Sequence, residues 1–222
     1  MVASMNTATA SMNPSCLRSS TRVNVNELKM TIMMAAAAVM TGAAHREDPS
    51  AADRHDLVAE MVRLGAVRDF EAVYGSPEWR TYLALHATFL SLPDGTLRDE
   101  IQEALRRSEQ SFIERIARAW ESLAAVLGYR LRPTAGGSFE TIATLVSATL
   151  RGLVTMALSN AELATRRVQA NPAGASTSAE WSLVGMAAAS IAATFLEPDP
   201  DFTWDEQRLA SLRQLLDGEG VS

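Results

Sequence analysis

The chain has 222 residues, of which 47% are hydrophobic and 21% charged, with 20 Lys and Arg against 26 Asp and Glu for a formal charge of −6. That balance describes a globular chain able to bury a sizeable core, and it excludes a protein disordered throughout. It also excludes one that coats nucleic acid over its whole surface, though a local basic patch is compatible with it. A single cysteine, Cys16, leaves no intramolecular disulfide and no Cys-based zinc site, so a reducing, cytoplasmic setting is expected.

Residues 1–25 are rich in Ser, Thr, Asn and Met and offer few large apolar side chains, which predicts a frayed or remnant segment. Residues 26–50 read as a connecting helix and loop. The apolar run from Leu28 to Ala44 is too short and too Ala-rich to span a bilayer, and no membrane partner is expected. Its basic flank and its Gly42-Ala43-Ala44 end give it the look of a secretory h-region. Against that stand an unusually long leader and Glu27 beside the run. The favoured reading is a helix from Asn26 to Met40, capped by Asn24 or Asn26.

Residues 51–222 form one helical domain in this reading. Ser50 or Asp53 caps a helix to about Phe70 or Tyr74, with Leu57, Met61, Leu64 and Val67 at helical spacing. Ser76-Pro77 restarts the chain for a helix to Leu92, because a Ser cap followed by Pro at the first helical position is a start signal. Pro93-Asp94-Gly95 then turns, and Thr96 with Asp99 has the form of a capping box. The long helix beyond it carries Leu97, Ile101, Leu105, Phe112, Ile116, Trp120, Leu123 and Leu127 on one stripe and ends near Gly128. Two apolar helices follow, Ser138 to about Glu162 and Ala179 to Leu196, joined by a loop from Arg166 to Ser178. A short last helix spans Asp205 to Leu216, and no strand signal stands out. The fold class predicted is all-α.

The chemistry-bearing motifs are few. Neither a P-loop nor a glycine-rich dinucleotide turn nor a Gly-x-Ser-x-Gly elbow occurs in the sequence, and His45, His55 and His86 lack metal-ligand spacing. No enzyme activity, metal or cofactor is therefore expected. His86 lies in an apolar helix and reads as a core or pocket histidine. The small residues Ala148, Gly152, Gly185, Ala188 and Ala192, with Met156, leave uncharged faces on the two apolar helices, suited either to the core or to an interface between copies.

The segment from Ser111 to Leu158 carries an amphipathic helix ending in Gly128, a basic Pro-containing link Arg130-Leu131-Arg132-Pro133, and a long apolar helix with Gly152-Leu153. In this order it resembles the C-terminal regulatory domain of TetR-like transcriptional regulators, and a looser likeness in helix order runs from Asp56 to Leu216. The resemblance implies a helical bundle whose last two long helices pack as an antiparallel pair into a four-helix-bundle homodimer. It also implies a pocket for a small apolar effector, for which His86, Phe89, Phe112, Trp120, Met156 and Trp181 are the candidate lining residues. Such a regulator, usually a repressor, reads DNA through an N-terminal helix-turn-helix. Only residues 1–25 precede the helix that resembles the connecting one, so DNA binding is possible but its reader is not evident. Leu57 to Trp79 mimics a reader in part, yet Asp69 and Glu71 fall where a groove-facing surface wants basic or neutral groups. The alternative is a dimeric helical module that binds a small molecule or partner and no longer contacts DNA.

Overall fold

A computed structural model describes residues 51–202 apart from residue 173. The expected helices at Asn26–Met40 and Asp205–Leu216, the residue 1–25 segment, Cys16 and His45 lie outside the described residues. Within them 73% of residues are helical, in six helices, and the only sheets are two short antiparallel pairs, so the class is all-α.

Helix α1, Ala51–Gly75, is the element around which the core is built. Leu57 and Met61 meet Ala124, Leu127 and Tyr129 at one end, while Phe70 and Val73 meet Val154, Ala157 and Val184 at the other. Between them Ala59 packs with Trp181 and Ala189. Apolar side chains at three- and four-residue spacing thus serve three neighbouring clusters from one helix. Asp53, one of the two expected caps, lies within the helix, and Ser50, the other, lies outside the described residues.

Helix α2, Pro77–Leu90, starts as expected, with the Ser76 hydroxyl accepting from the Trp79 amide at 3.2 Å. None of its residues is fully buried. Helix α3, Thr96–Leu127, is 32 residues long and buries Leu105, Phe112, Ala117, Ala124 and Leu127. The expected Thr96–Asp99 box does not form. Gly95, at φ 148°, is the N-cap and offers no side chain, so the Asp99 amide donates instead to the Gly95 carbonyl at 3.1 Å. Leu97, expected on the apolar stripe, is 64% exposed, since the buried part of α3 begins only at Leu105. Gly128 ends the helix at φ 72°, a left-handed conformation natural to glycine, with the Phe202 ring so close that a Cβ would lie 2.4 Å from it.

The chain then runs as β1, Tyr129–Leu131, a 3-10 turn at Pro133–Ala135, and α4, Phe139–Ser159. Ser138 and Thr141 form a reciprocal capping box at the head of α4, each side chain accepting from the other's amide. Helix α5 is a single turn, Glu162–Thr165. Strand β2, Arg167–Ala170, pairs antiparallel with β3, Ala179–Ser182, placing Val168 opposite Trp181. Helix α6, Leu183–Phe195, follows at once, and β4, Leu196–Pro198, returns to pair with β1.

These strands correct the sequence reading in two places. The helix expected from Ala179 begins only at Leu183, and the loop expected from Arg166 holds β2. The two segments pair with each other across the loop of residues 171–178, and each is only four residues long, too short for a strand period to stand out in the sequence. Arg130 reinforces the second ladder, with its guanidinium 3.0 Å from Glu197 and 3.7 Å from Asp199. Arg132 donates to the carbonyls of Ala193 and Leu196 at the end of α6. The basic link on which the resemblance partly rests is therefore occupied within the fold.

Candidate functional site

The six expected lining residues do not surround one hollow. His86 and Phe112 come together, whereas Trp181, 2% exposed, belongs to the separate cluster with Ala59 and Ala189, and Met156, 55% exposed, points away from the core. Phe89 lies beside this group and is covered by the Arg98 guanidinium, 5.0 Å from its ring centre. Trp120 is half-buried two turns further along α3 than Phe112 and makes no ring contact with the group. A cleft between α1, α4 and α6, lined by Val67, Phe70, Leu153, Leu163 and Val184, encloses only about 20 Å³. That space suits a water molecule or so and no larger effector.

What the fold assembles instead is a cluster of rings and charges where α2, α3 and α4 meet. The Trp79 ring stands edge-on to Tyr82 at 5.3 Å and to Phe112 at 6.0 Å, and Tyr82 meets His86 at 4.6 Å. Arg151 of α4 enters this aromatic corner with its guanidinium carbon 5.6 Å from Trp79, 5.7 Å from Tyr82 and 5.5 Å from Phe112. It donates to the Glu109 carboxylate at 2.8 Å, and the Tyr82 hydroxyl donates to the same carboxylate at 2.9 Å. Glu109 is thus held by two helices at once, and its charge is matched by a cation in a partly shielded corner.

The surroundings set the protonation of both polar rings. Burial, and then the neighbouring Glu109 charge and hydrogen bond, push the Tyr82 phenol up to about 12. Burial and the Arg151 cation hold the His86 imidazole below its ordinary range, so it is neutral at pH 7. Its Nε2 is buried and has no hydrogen-bond partner.

Four members of this group, Trp79, Tyr82, Glu109 and Arg151, were not among the expected lining residues. A signal for them exists in the sequence. Trp79, Tyr82, His86 and Phe89 repeat at three- and four-residue spacing along α2, and Arg151 is a lone charge inside an apolar helix, which requires a partner. Glu109 could not be singled out, because it sits among many charges on α3.

The second feature is an outward face of α4. Leu145, Ala148, Gly152 and Met156 follow one another at helical spacing and all are exposed, and a Cβ at Gly152 would meet nothing within 4 Å. Three of the six expected interface residues, Ala148, Gly152 and Met156, therefore share one free face. Gly185 and Ala188 are buried within the chain, a Cβ at Gly185 would stand 3.0 Å from the Ser182 hydroxyl and 3.3 Å from the Trp181 ring, and Ala192 is half-buried. By length and composition α4 could cross a membrane, with a mean hydropathy of 1.5, but a core helix passes the same test and α4 carries Arg151 in its middle. Among the described residues no group of three or more His, Cys, Asp or Glu is placed to hold a metal.

The fold and its two features thus define an all-α domain with a polar-aromatic corner and one exposed small-residue helix face. Set against known protein families, curated proteins and solved structures, the chain matches none of them.

Proposed function

We propose that the chain is a ligand-responsive transcriptional regulator of the TetR-like type, acting in the cytoplasm as a homodimer. In this reading residues 51–222 sense a small, largely apolar effector and provide the self-association surface. The observation that carries the reading is the exposed stripe Leu145, Ala148, Gly152 and Met156 on α4. Small residues at helical spacing let a second helix approach closely, and a large exposed Leu and Met beside them leave an apolar cost that burial removes. The stripe alone is narrower than a stable interface of roughly 800 Å² per partner, so α6, which packs against α4 and exposes Ser190, Ala193 and Thr194, must contribute.

Sedimentation of the full chain tests the self-association. A dimer is expected for the natural chain and a monomer for Gly152→Glu with Met156→Glu, since two carboxylates would then be buried unpaired. A natural chain that sediments as a monomer at tens of micromolar overturns the reading. The regulatory role is tested separately, by electrophoretic mobility shift on genomic fragments holding palindromes at several salt concentrations. Steeply salt-dependent binding is expected. A stable dimer that shifts no fragment leaves the other reading, a dimeric module that binds a small molecule or partner without contacting DNA.

A further inference from the structure

The turn between α2 and α3 brings together three conditions that meet nowhere else among the described residues. The Asp94 side chain is fully exposed, the residue after it is glycine, and the Gly95 amide donates to no group among the described residues. Gly95, at φ 148°, has open space for 4 Å around the place a Cβ would take, so no side chain hinders rotation of the peptide unit that joins the two residues. The Asp94 carboxylate meets only the edge of Arg98, whose Nε stands 3.6 Å away while its guanidinium donates to the Leu92 carbonyl and covers the Phe89 ring.

Every other aspartate among the described residues fails at least one of these conditions. Asp53, Asp56, Asp69 and Asp99 lie inside α1 and α3, where helical backbone fixes the following nitrogen away from the side chain. Asp199 precedes Pro200, which has no N–H, and accepts from the Asp201 amide at 3.1 Å. The nitrogen after Asp201 is that of Phe202, which donates to the Asp199 carbonyl at 3.3 Å. The two asparagines are tied as well, Asn160 by the Glu162 amide and Asn171 by the Ala175 amide.

We infer that the Asp94-Gly95 peptide is a site of spontaneous covalent modification, at which aspartate isomerises to isoaspartate. In the first step the Gly95 nitrogen bonds to Asp94 Cγ. The nitrogen gives up its proton and the protonated carboxyl its hydroxyl, so one water leaves and a five-membered succinimide remains. In the second step a water molecule adds to one of the two ring carbonyls and breaks the bond between that carbon and nitrogen. Addition at Cγ sends the backbone through the α-carbonyl again and restores aspartate. Addition at the α-carbonyl leaves the backbone running through Cβ and Cγ, with the carboxylate on the α-carbon. Water is the sole co-reactant, and mass is conserved overall. The product carries one extra backbone carbon immediately before the residue that caps α3, and its carboxylate no longer hangs from the carbon that sets it beside Arg98. Neither effector binding nor self-association enters this inference.

Full-length protein kept for several weeks in neutral buffer at physiological temperature, then digested with trypsin, provides the test. Cleavage after Arg80 and Arg98 releases the peptide of residues 81–98, in which Asp94 is the only acidic residue. An isomer of unchanged mass that elutes separately is therefore assigned to Asp94, and electron-transfer fragmentation identifies its β-linkage. Isoaspartate is expected in this peptide before it appears at any other aspartate or asparagine of residues 51–202. Asp94→Glu should form none there, since closure would need a six-membered ring, and Asp94→Asn should convert faster with loss of ammonia, because a neutral amide accepts a nucleophile better than a carboxylate does. The Asp217-Gly218 pair, outside the described residues, reports on the conditions. Isoaspartate at Asp217 with none at Asp94 would show that the folded turn protects its glycine nitrogen and would overturn the assignment. Earlier isomerisation at Asp56 or Asp99, or an equal rate in Asp94→Glu, would overturn it too.

Discussion

Replacing Arg151 by methionine removes the cation while keeping the length of an apolar stem, and it isolates what the ion pair contributes to holding α2, α3 and α4 together. The Arg151 side chain is 19% exposed and that of Glu109 33%, so the pair lies between two measured regimes. Exposed pairs contribute about 0.2–1 kcal/mol, and breaking a fully buried one costs about 3–5 kcal/mol because a charge is stranded. A cost of about 2 kcal/mol follows for Arg151→Met, since Glu109 keeps only the Tyr82 hydroxyl as a partner and three rings lose their cation. Glu109→Gln should cost about 1 kcal/mol, because the amide oxygen still accepts from Tyr82. The double variant should fall short of the sum by about 1 kcal/mol, as expected of residues that touch. Urea denaturation followed by far-ultraviolet circular dichroism measures all three. Arg151→Met within about 0.5 kcal/mol of the natural chain, or strictly additive variants, would refute the view that this corner fastens α2.

Three further outcomes are expected. Gly128→Ala should lower the melting temperature by several degrees, because it places a Cβ 2.4 Å from the Phe202 ring at a positive φ; an unchanged melting curve would contradict the close approach. Ser138→Ala should cost about 1 kcal/mol by opening the capping box of α4, as read by denaturation, and should leave sedimentation unchanged. Stability should also depend on pH at both ends. Tyr82 holds its proton to about 12 when folded but releases it near 10 when unfolded, so stability falls as pH rises from 10 to 12, and Tyr82→Phe should abolish that fall. His86 is harder to protonate folded than unfolded, so stability falls as pH drops below the ordinary histidine value of 6.5, and His86→Phe should flatten that limb.

The helices were legible in the sequence wherever a local rule sets them. Ser76-Pro77 opened α2, Ser138 capped α4, and Gly128 closed α3, each through chemistry confined to a few neighbouring residues. The strands were not, because β1 and β4 are paired across the width of the domain and Arg130 finds Glu197 only once the chain has folded. The candidate lining residues of the pocket that the resemblance implies are mostly large side chains on apolar helix stretches, where the sequence does not distinguish one face of a helix from another. Hence Met156 turns outward and Trp181 joins a different cluster, while Glu109, the partner that the lone Arg151 requires, is hidden among the many charges of α3.

The length of α3 has a mechanical consequence. At 1.5 Å per residue its 32 residues extend about 48 Å. One tip is riveted by the β1–β4 ladder, while the first buried side chain met from the opposite tip is Leu105. The helix is therefore anchored unevenly: among the described residues its first turns are tied to α2 and the preceding turn only through Arg98, which covers Phe89 and donates to the Leu92 carbonyl, while its second half lies in the core. Amide exchange along α3 should accordingly be graded, fastest before Leu105 and slowest toward Leu127.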